Sequence, residues 1–191
     1  GVIAATELAL QEGAAGSLSS GLHHARHDSG AGFCTVNGLA IAATHAKTLV
    51  GGRIVILDFD AHCGGGTHSL IKDDEQILHL DLSTNGFDSY EPTGENCLEI
   101  GNYSDESYLE EVDEMLNRIP SNTDLLIYNA GMDPAPMISD EALQVREQRV
   151  ASLMKDNQIS TTFVLAGGYT TSMSQEELVE LHLTTIEAFT K

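Results

Sequence analysis

The chain has 191 residues and a hydrophobic content of 41%, enough to bury a core without disulfide or metal staples, which excludes an intrinsically disordered chain. Its 29 Asp and Glu against 9 Lys and Arg give a formal net charge of −20, a surface that repels nucleic acid and anionic membrane. No apolar run reaches spanning length and no signal peptide is visible, so no membrane association is expected. Cys34, Cys63 and Cys97 form no CxxC element and read as reduced, mostly buried thiols of a cytoplasmic protein. The acidity leaves two readings open: a solvated surface tuned for solubility, or one that attracts cationic substrates such as polyamines or lysine-rich tails.

Helix and strand patterns alternate along the chain. ATELALQEGAAG predicts a helix closing at a glycine, and Gly16–Ser20 a short strand. Thr35–Val50 is Ala-rich with helical periodicity. Arg53–Asp60 is a near-continuous apolar run after Gly-Gly, the pattern of a strand buried on both faces. Ile77–Leu82 and Cys97–Gly101 are weaker strands, separated by a long polar loop, Ser83–Asn96, of the kind that often carries function. Then follow a helix over Asp105–Arg118 capped by Ser104, a strand over Leu125–Ala130, a helix over Asp140–Asp156, a strand over Thr161–Ala166 and a closing helix over Gln175–Phe189. This order predicts a single α/β domain over residues 1–191: three layers, a mostly parallel sheet of about six strands, and helices on both faces.

Parallel α/β sheets bind ligands beyond the carboxyl ends of their strands, so the residues just after each strand carry the functional reading. Asp58, Asp60 and His62 follow one strand, Asp133 another, Gly167-Gly168-Tyr169 a third, and His23-His24 the strand expected at Gly16–Ser20. Asp60 and His62 are two apart in extended chain, so both side chains point the same way. With Asp133 they make three ligands with an open position, which suits a catalytic transition metal. Asp133, which precedes Pro134, also reads as a helix N-cap. His23-His24 reads either as an exposed loop doublet or as a general acid/base pair, and Tyr169 as a packing aromatic or an oxyanion donor. Cys63, next to His62, is expected near the metal.

Taken together, GLHHARHDSGAGFCTVNGLAIAA (Gly21–Ala43), ILDFDAHCGGGT (Ile56–Thr67), NAGMDP (Asn129–Pro134) and LAGGY (Leu165–Tyr169) resemble the histone deacetylase and acetylpolyamine amidohydrolase superfamily, which has the arginase-deacetylase fold. The resemblance implies a zinc-dependent deacetylase that hydrolyses the acetamide of an acetyl-lysine or acetylpolyamine with a water activated at the metal. Asp60, His62 and Asp133 would hold Zn²⁺. His24 would be the general base and acid, with His23 its electrostatic partner, oriented by Asp58. Tyr169 would stabilise the oxyanion. Phe33, Tyr90 and Gly168 would line the substrate tunnel. A K⁺ site would use Asp58, Asp60, His62, Asp81 and Leu82.

The chain departs from the family at several points. Cys63 stands where a His or Gln is usual, and Asp81 replaces a serine beside the cation site. Gly65 stands where an Asp or Asn supports the residue matched by His24, so that histidine is expected to lack its orienting carboxylate. The family's domain begins well before the segment matched by GVIAATELAL. The chain therefore reads as N-terminally truncated, with a sheet edge that invites self-association. The alternative is a catalytically impaired module of the same fold that binds metal or acyl-amines. A two-Mn²⁺ centre of the arginase type is not expected, since it would need an Asp near Gly64 and an Asp at Ala135.

Overall fold

The computed structural model describes residues 1–190. Among these, six strands and six helices alternate as α1 (Val2–Glu12), β1 (Ala14–Ser17), α2 (Gly38–Ala46), β2 (Arg53–Asp58), α3 (Gly65–Ile71), β3 (Ile77–Ser83), β4 (Cys97–Ile100), α4 (Asp105–Asn117), β5 (Thr123–Gly131), α5 (Asp140–Asp156), β6 (Ser160–Ala166) and α6 (Gln175–Thr190). The strands form one sheet in the order β1-β6-β5-β2-β3-β4, with every pairing parallel. The three-layer α/β architecture read from the sequence is thus the one observed.

Period-two alternation along the central strands separates the two halves of the core. Ile54, Ile56, Leu125 and Ile127 face one side and pack with Val2 of α1, Leu39 and the Ala residues of α2, and Ile71 of α3. Val55, Leu57, Leu126 and Tyr128 face the other and pack with Tyr108, Val112 and Met115 of α4, Leu143 and Val150 of α5, and Leu181 of α6. Each fully buried Leu or Ile there contributes about 1.5–3 kcal/mol relative to exposure. The Ala-rich face of α2 lets that helix lie close to the sheet.

Several boundaries differ from the sequence reading: α2 is shorter at both ends, β2 stops at Asp58, and β5 runs longer at both ends. The first strand is Ala14–Ser17, so Leu18–Ser20 belong to the connection that carries His23 and His24. The Gly-rich stretch after Cys63 starts a short helix, α3, where the glycines gave no helical pattern. Ser104 caps α4 as expected, its hydroxyl accepting from the Ser107 amide within a capping box.

Because the sheet is parallel, all its carboxyl ends lie on one edge. Asp58 is in register with Asn129 of β5 and Asp81 of β3, and Gly131 with Ala166 of β6. That edge carries the residues described next. A buried ionic cluster braces it from below. Arg146 of α5 donates to Glu147, to the Tyr108 hydroxyl and to the carbonyl of Phe59, while the Tyr128 hydroxyl donates to Glu147. Phe59 lies between Asp58 and Asp60, so this cluster pins the backbone that presents both carboxylates.

Candidate active site

Asp60 and His62 leave the end of β2, and Asp133 leaves the end of β5, as the strand-end reading predicts. His62 Nδ1 lies 3.1 Å from Asp60 Oδ1 and 3.1 Å from Asp133 Oδ2. The three ligand atoms fall within 4.8 Å of one another. A tetrahedral ion with bonds of about 2.0–2.2 Å sets its donors about 3.3–3.6 Å apart, a little wider than the two 3.1 Å contacts of His62. The charges of this donor set call for a cation. Burial and the neighbouring Asp60 charge raise the Asp133 carboxyl, against the pull of His62. Hydrogen bonds to Asp133 and Asp60 lift His62 to about 9.

The turn after β6 completes the pocket. Gly167 and Gly168 take φ of 64° and 89°, a region that disfavours side chains, and the turn brings the Gly168 amide onto Asp133 Oδ1. Gly168 therefore anchors a metal-ligand candidate as well as lining the cavity. Tyr169 follows, 45% exposed, with its ring 6.3 Å from that of His62. These residues, with His23, His24 and Phe33, surround a cavity of about 220 Å³. Phe33 stands at its mouth, 92% exposed.

The His23-His24 doublet is buried rather than a solvated loop pair. Asn37, the N-cap of α2, donates to the carbonyls of His23 and Ala25 and to Thr67 Oγ1, tying the segment to α2 and α3. His23 Nδ1 lies 2.8 Å from Asp58 Oδ2, and Asp58 also accepts from the Asn129 amide group at 2.7 Å. Burial opposes charge on His23, but Asp58 and Asp60 outweigh it and lift the ring to about 10. Burial would likewise raise Asp58, yet His23 and His79 hold it well below the usual carboxylate range. The His24 ring sits 3.9 Å from that of His23, centroid to centroid.

Three expectations change. His24 does not lack a carboxylate: Asp88, from the loop after β3, places Oδ2 2.9 Å from its Nδ1. Tyr90 does not line the cavity. It stacks on His68, ring centroids 4.1 Å apart, and its hydroxyl reaches His79 Nδ1 and Asp81. The aromatic that faces the site from this loop is Phe87, whose ring meets His24 and His62 edge-on at 5.0 and 6.0 Å. Cys63, though next to His62, is buried with its thiol directed at the Asn85 carbonyl. Burial and the charge of Asp81 push that thiol up to about 12, which keeps it protonated.

Behind the pocket lies a second group able to hold a cation, Asp58, His79 and Asp81. Asp81 accepts from the Gly64 amide and the Ser83 hydroxyl, and burial with the Asp58 charge raises it to about 7. Leu82 is buried beside it.

Fold and site together define a parallel α/β domain with a carboxylate–imidazole cluster, able to hold a metal ion, at its strand ends. Residues 1–186 match the histone deacetylase domain, and the chain belongs to that family. Histone deacetylase 2 of Arabidopsis thaliana is 28% identical over 191 residues, covering 92% of this chain and 49% of that protein. Polyamine deacetylase HDAC10 of Rattus norvegicus is 43% identical over 59 residues, 30% of this chain and 10% of that protein. An acetylpolyamine aminohydrolase from Burkholderia pseudomallei shares the fold, with a TM-score of 0.77 at 24% identity over 98% of this chain and 60% of that one. The chain thus spans about half the length of Histone deacetylase 2.

Proposed function

We propose that the chain is a zinc-dependent deacetylase acting on the acetamide of an acetyl-lysine or acetylpolyamine. The observation that carries this reading is the convergence of Asp60, His62 and Asp133 with two carboxylate-held histidines and Tyr169 on one cavity. Zn²⁺ held by Asp60, His62 and Asp133 would polarise the acetyl carbonyl and acidify the attacking water. His24, whose Nδ1 faces Asp88, works through Nε2: it takes the proton of the attacking water, then protonates the leaving amine. The new C–O bond forms first, giving a tetrahedral oxyanion, and the C–N bond breaks as the oxyanion collapses and His24 protonates the nitrogen, releasing acetate and the free amine. His23, paired with Asp58, holds positive charge beside the reacting centre. The Tyr169 hydroxyl donates to the developing oxyanion. Phe33, Phe87 and the backbone at Gly168 bracket the acyl chain.

Asp58, Asp81 and Leu82, with the main chain at Asp60 and His62, are assigned to a monovalent cation, K⁺. The raised carboxyl of Asp81 and the Nε2 of buried His79, without a hydrogen bond and 3.9 Å from Asp58 Oδ2, support a polar site that a cation fits. Self-association through the edge strand β1, next to exposed Leu18, is part of the same proposal and is read by sedimentation. Among the described residues no helix is long and apolar enough to cross a membrane. The net charge of −20 favours basic acetylated amines over nucleic acid.

The test follows acetate release from acetyl-lysine and acetylpolyamine substrates with added Zn²⁺ and with chelator. Zinc-restored turnover is the expected result. A filled metal site without turnover would favour the alternative, a module that binds metal or acyl-amines.

A further inference from the structure

Gly65 begins α3 on the wall behind His24, and its missing side chain leaves a space that another residue fills. A Cβ built at Gly65 would lie 2.2 Å from the Asp88 carbonyl oxygen and 2.8 Å from Asp88 Oδ1. The first of these contacts is with backbone, so no side chain fits at residue 65 while the loop after β3 keeps its path. That loop delivers a carboxylate into the same volume. Asp88 Oδ2 lies 2.9 Å from His24 Nδ1 and accepts from the Gly66 amide at 3.1 Å. Its Oδ1 is held by the guanidinium of Arg26, which also donates to the His24 carbonyl at 3.4 Å.

Every feature of Asp88 suits a fixed carboxylate. Its side chain is 7% exposed, although its neighbours Phe87 and Ser89 are exposed. Its backbone takes φ of 62°, a conformation that Asp tolerates better than most residues and that turns the chain between Phe87 and the inward carboxylate. Burial would raise the carboxyl, but hydrogen bonds from His24 and Arg26 lower it. The carboxylate therefore stays ionised and accepts a proton-bearing Nδ1.

We infer that Asp88 is the positioning residue for His24, a carboxylate supplied by the loop after β3 in place of a side chain at residue 65. It fixes the tautomer with the proton on Nδ1, leaving the Nε2 lone pair free to accept. Arg26 keeps the pair aligned by gripping both members. The role of His24 as base rests on the deacetylase reading, whereas the Asp88–His24 link can be read without turnover.

The bland alternative is that Asp88 only closes the N-terminus of α3, whose N-cap Gly64 has no side chain to do so. The experiment separates the two. Long-range proton–nitrogen NMR on histidine-labelled, metal-free protein, at a pH where the ring is neutral, reports which nitrogen of His24 carries the proton. Wild type is expected to show Nδ1–H. Asp88→Ala removes the oxygen that His24 Nδ1 and the Gly66 amide share, and should shift the population to Nε2–H, a readout that a capping role alone would leave unchanged. In the zinc-loaded enzyme the same variant should lose about 10–100-fold in kcat with little change in KM. An Asp88→Ala protein with unchanged His24 tautomer and unchanged kcat would overturn the assignment. Nδ1–H on His24 in a wild-type protein that never turns over would support the assignment and remove the deacetylase reading.

Discussion

The two histidines of the doublet meet carboxylates of different origin. Asp58, partner of His23, stands at the last position of β2, in register with β3 and β5 on either side. Asp88, partner of His24, hangs on the loop between β3 and β4 and is kept in place by Arg26 and the first turn of α3. The first pair is fixed by the sheet itself. The second depends on a loop path and on a glycine that makes room for it. In the proposed mechanism the strand ends thus supply the metal ligands, and the loop after β3 aims His24.

That contrast can be broken first at a strand end. Asp133→Ala should lower zinc affinity by more than roughly 100-fold, beyond the usual cost of losing an outer partner of a metal ligand, while circular dichroism keeps the wild-type fold. Metal content after dialysis reads the loss, and full retention would remove Asp133 from the ligand set. Tyr169→Phe, at the next strand end, should lower kcat by about 10²–10³-fold with KM nearly unchanged, as expected for an oxyanion donor. Steady-state kinetics decide, and a fall confined to KM would reassign Tyr169 to substrate binding.

Acidity sharpens the comparison, because the ligand set carries the proton. His62, lifted to about 9, stabilises the metal-free fold fully below about 6.5, and that contribution is lost as pH rises through 9. A divalent ion needs the neutral ring, so zinc affinity should climb about tenfold per pH unit across that window and level off above it. Calorimetry in buffers of different ionisation enthalpy would count the released proton, and a pH-independent affinity would contradict the coupling. The smallest effect belongs to the loop. Phe87→Ala should raise KM severalfold and leave zinc affinity unchanged, because Phe87 meets the site only through ring edges. A loss of metal would show that the loop does more than shape the cavity.

How far each part could be read from sequence follows the same division. Asp60 and His62 were legible as polar residues just past an apolar run, as was Asp133, but the strand ends at Asp58 and a bend, not extended chain, brings Asp60 and His62 together. The doublet His23-His24 was legible as a motif, but its burial was not, since Asn37 secures it from a different element. Phe87, Asp88 and Tyr90 sit within four residues of one loop that has no periodicity. Which of them faces the metal ligands depends on the positive φ at Asp88, which no pattern of hydrophobicity encodes. Gly65 was visible as a departure, and its consequence was not, because the replacement lies 23 positions further along the chain, at Asp88. The bracing of Phe59 by Arg146 was likewise hidden: an Arg on an amphipathic helix reads as surface charge, yet Arg146 is fully buried.

The central claim is that two carboxylates and one imidazole from separate strands enclose a single divalent ion. X-ray absorption at the zinc edge of the loaded protein, compared with Asp133→Ala, tests it most directly. The account predicts one ion per chain with a shell of nitrogen and oxygen only, at about 2.0–2.2 Å. A sulfur neighbour at about 2.3 Å, which would bring in Cys34 or Cys63, or the same shell in Asp133→Ala, would contradict it.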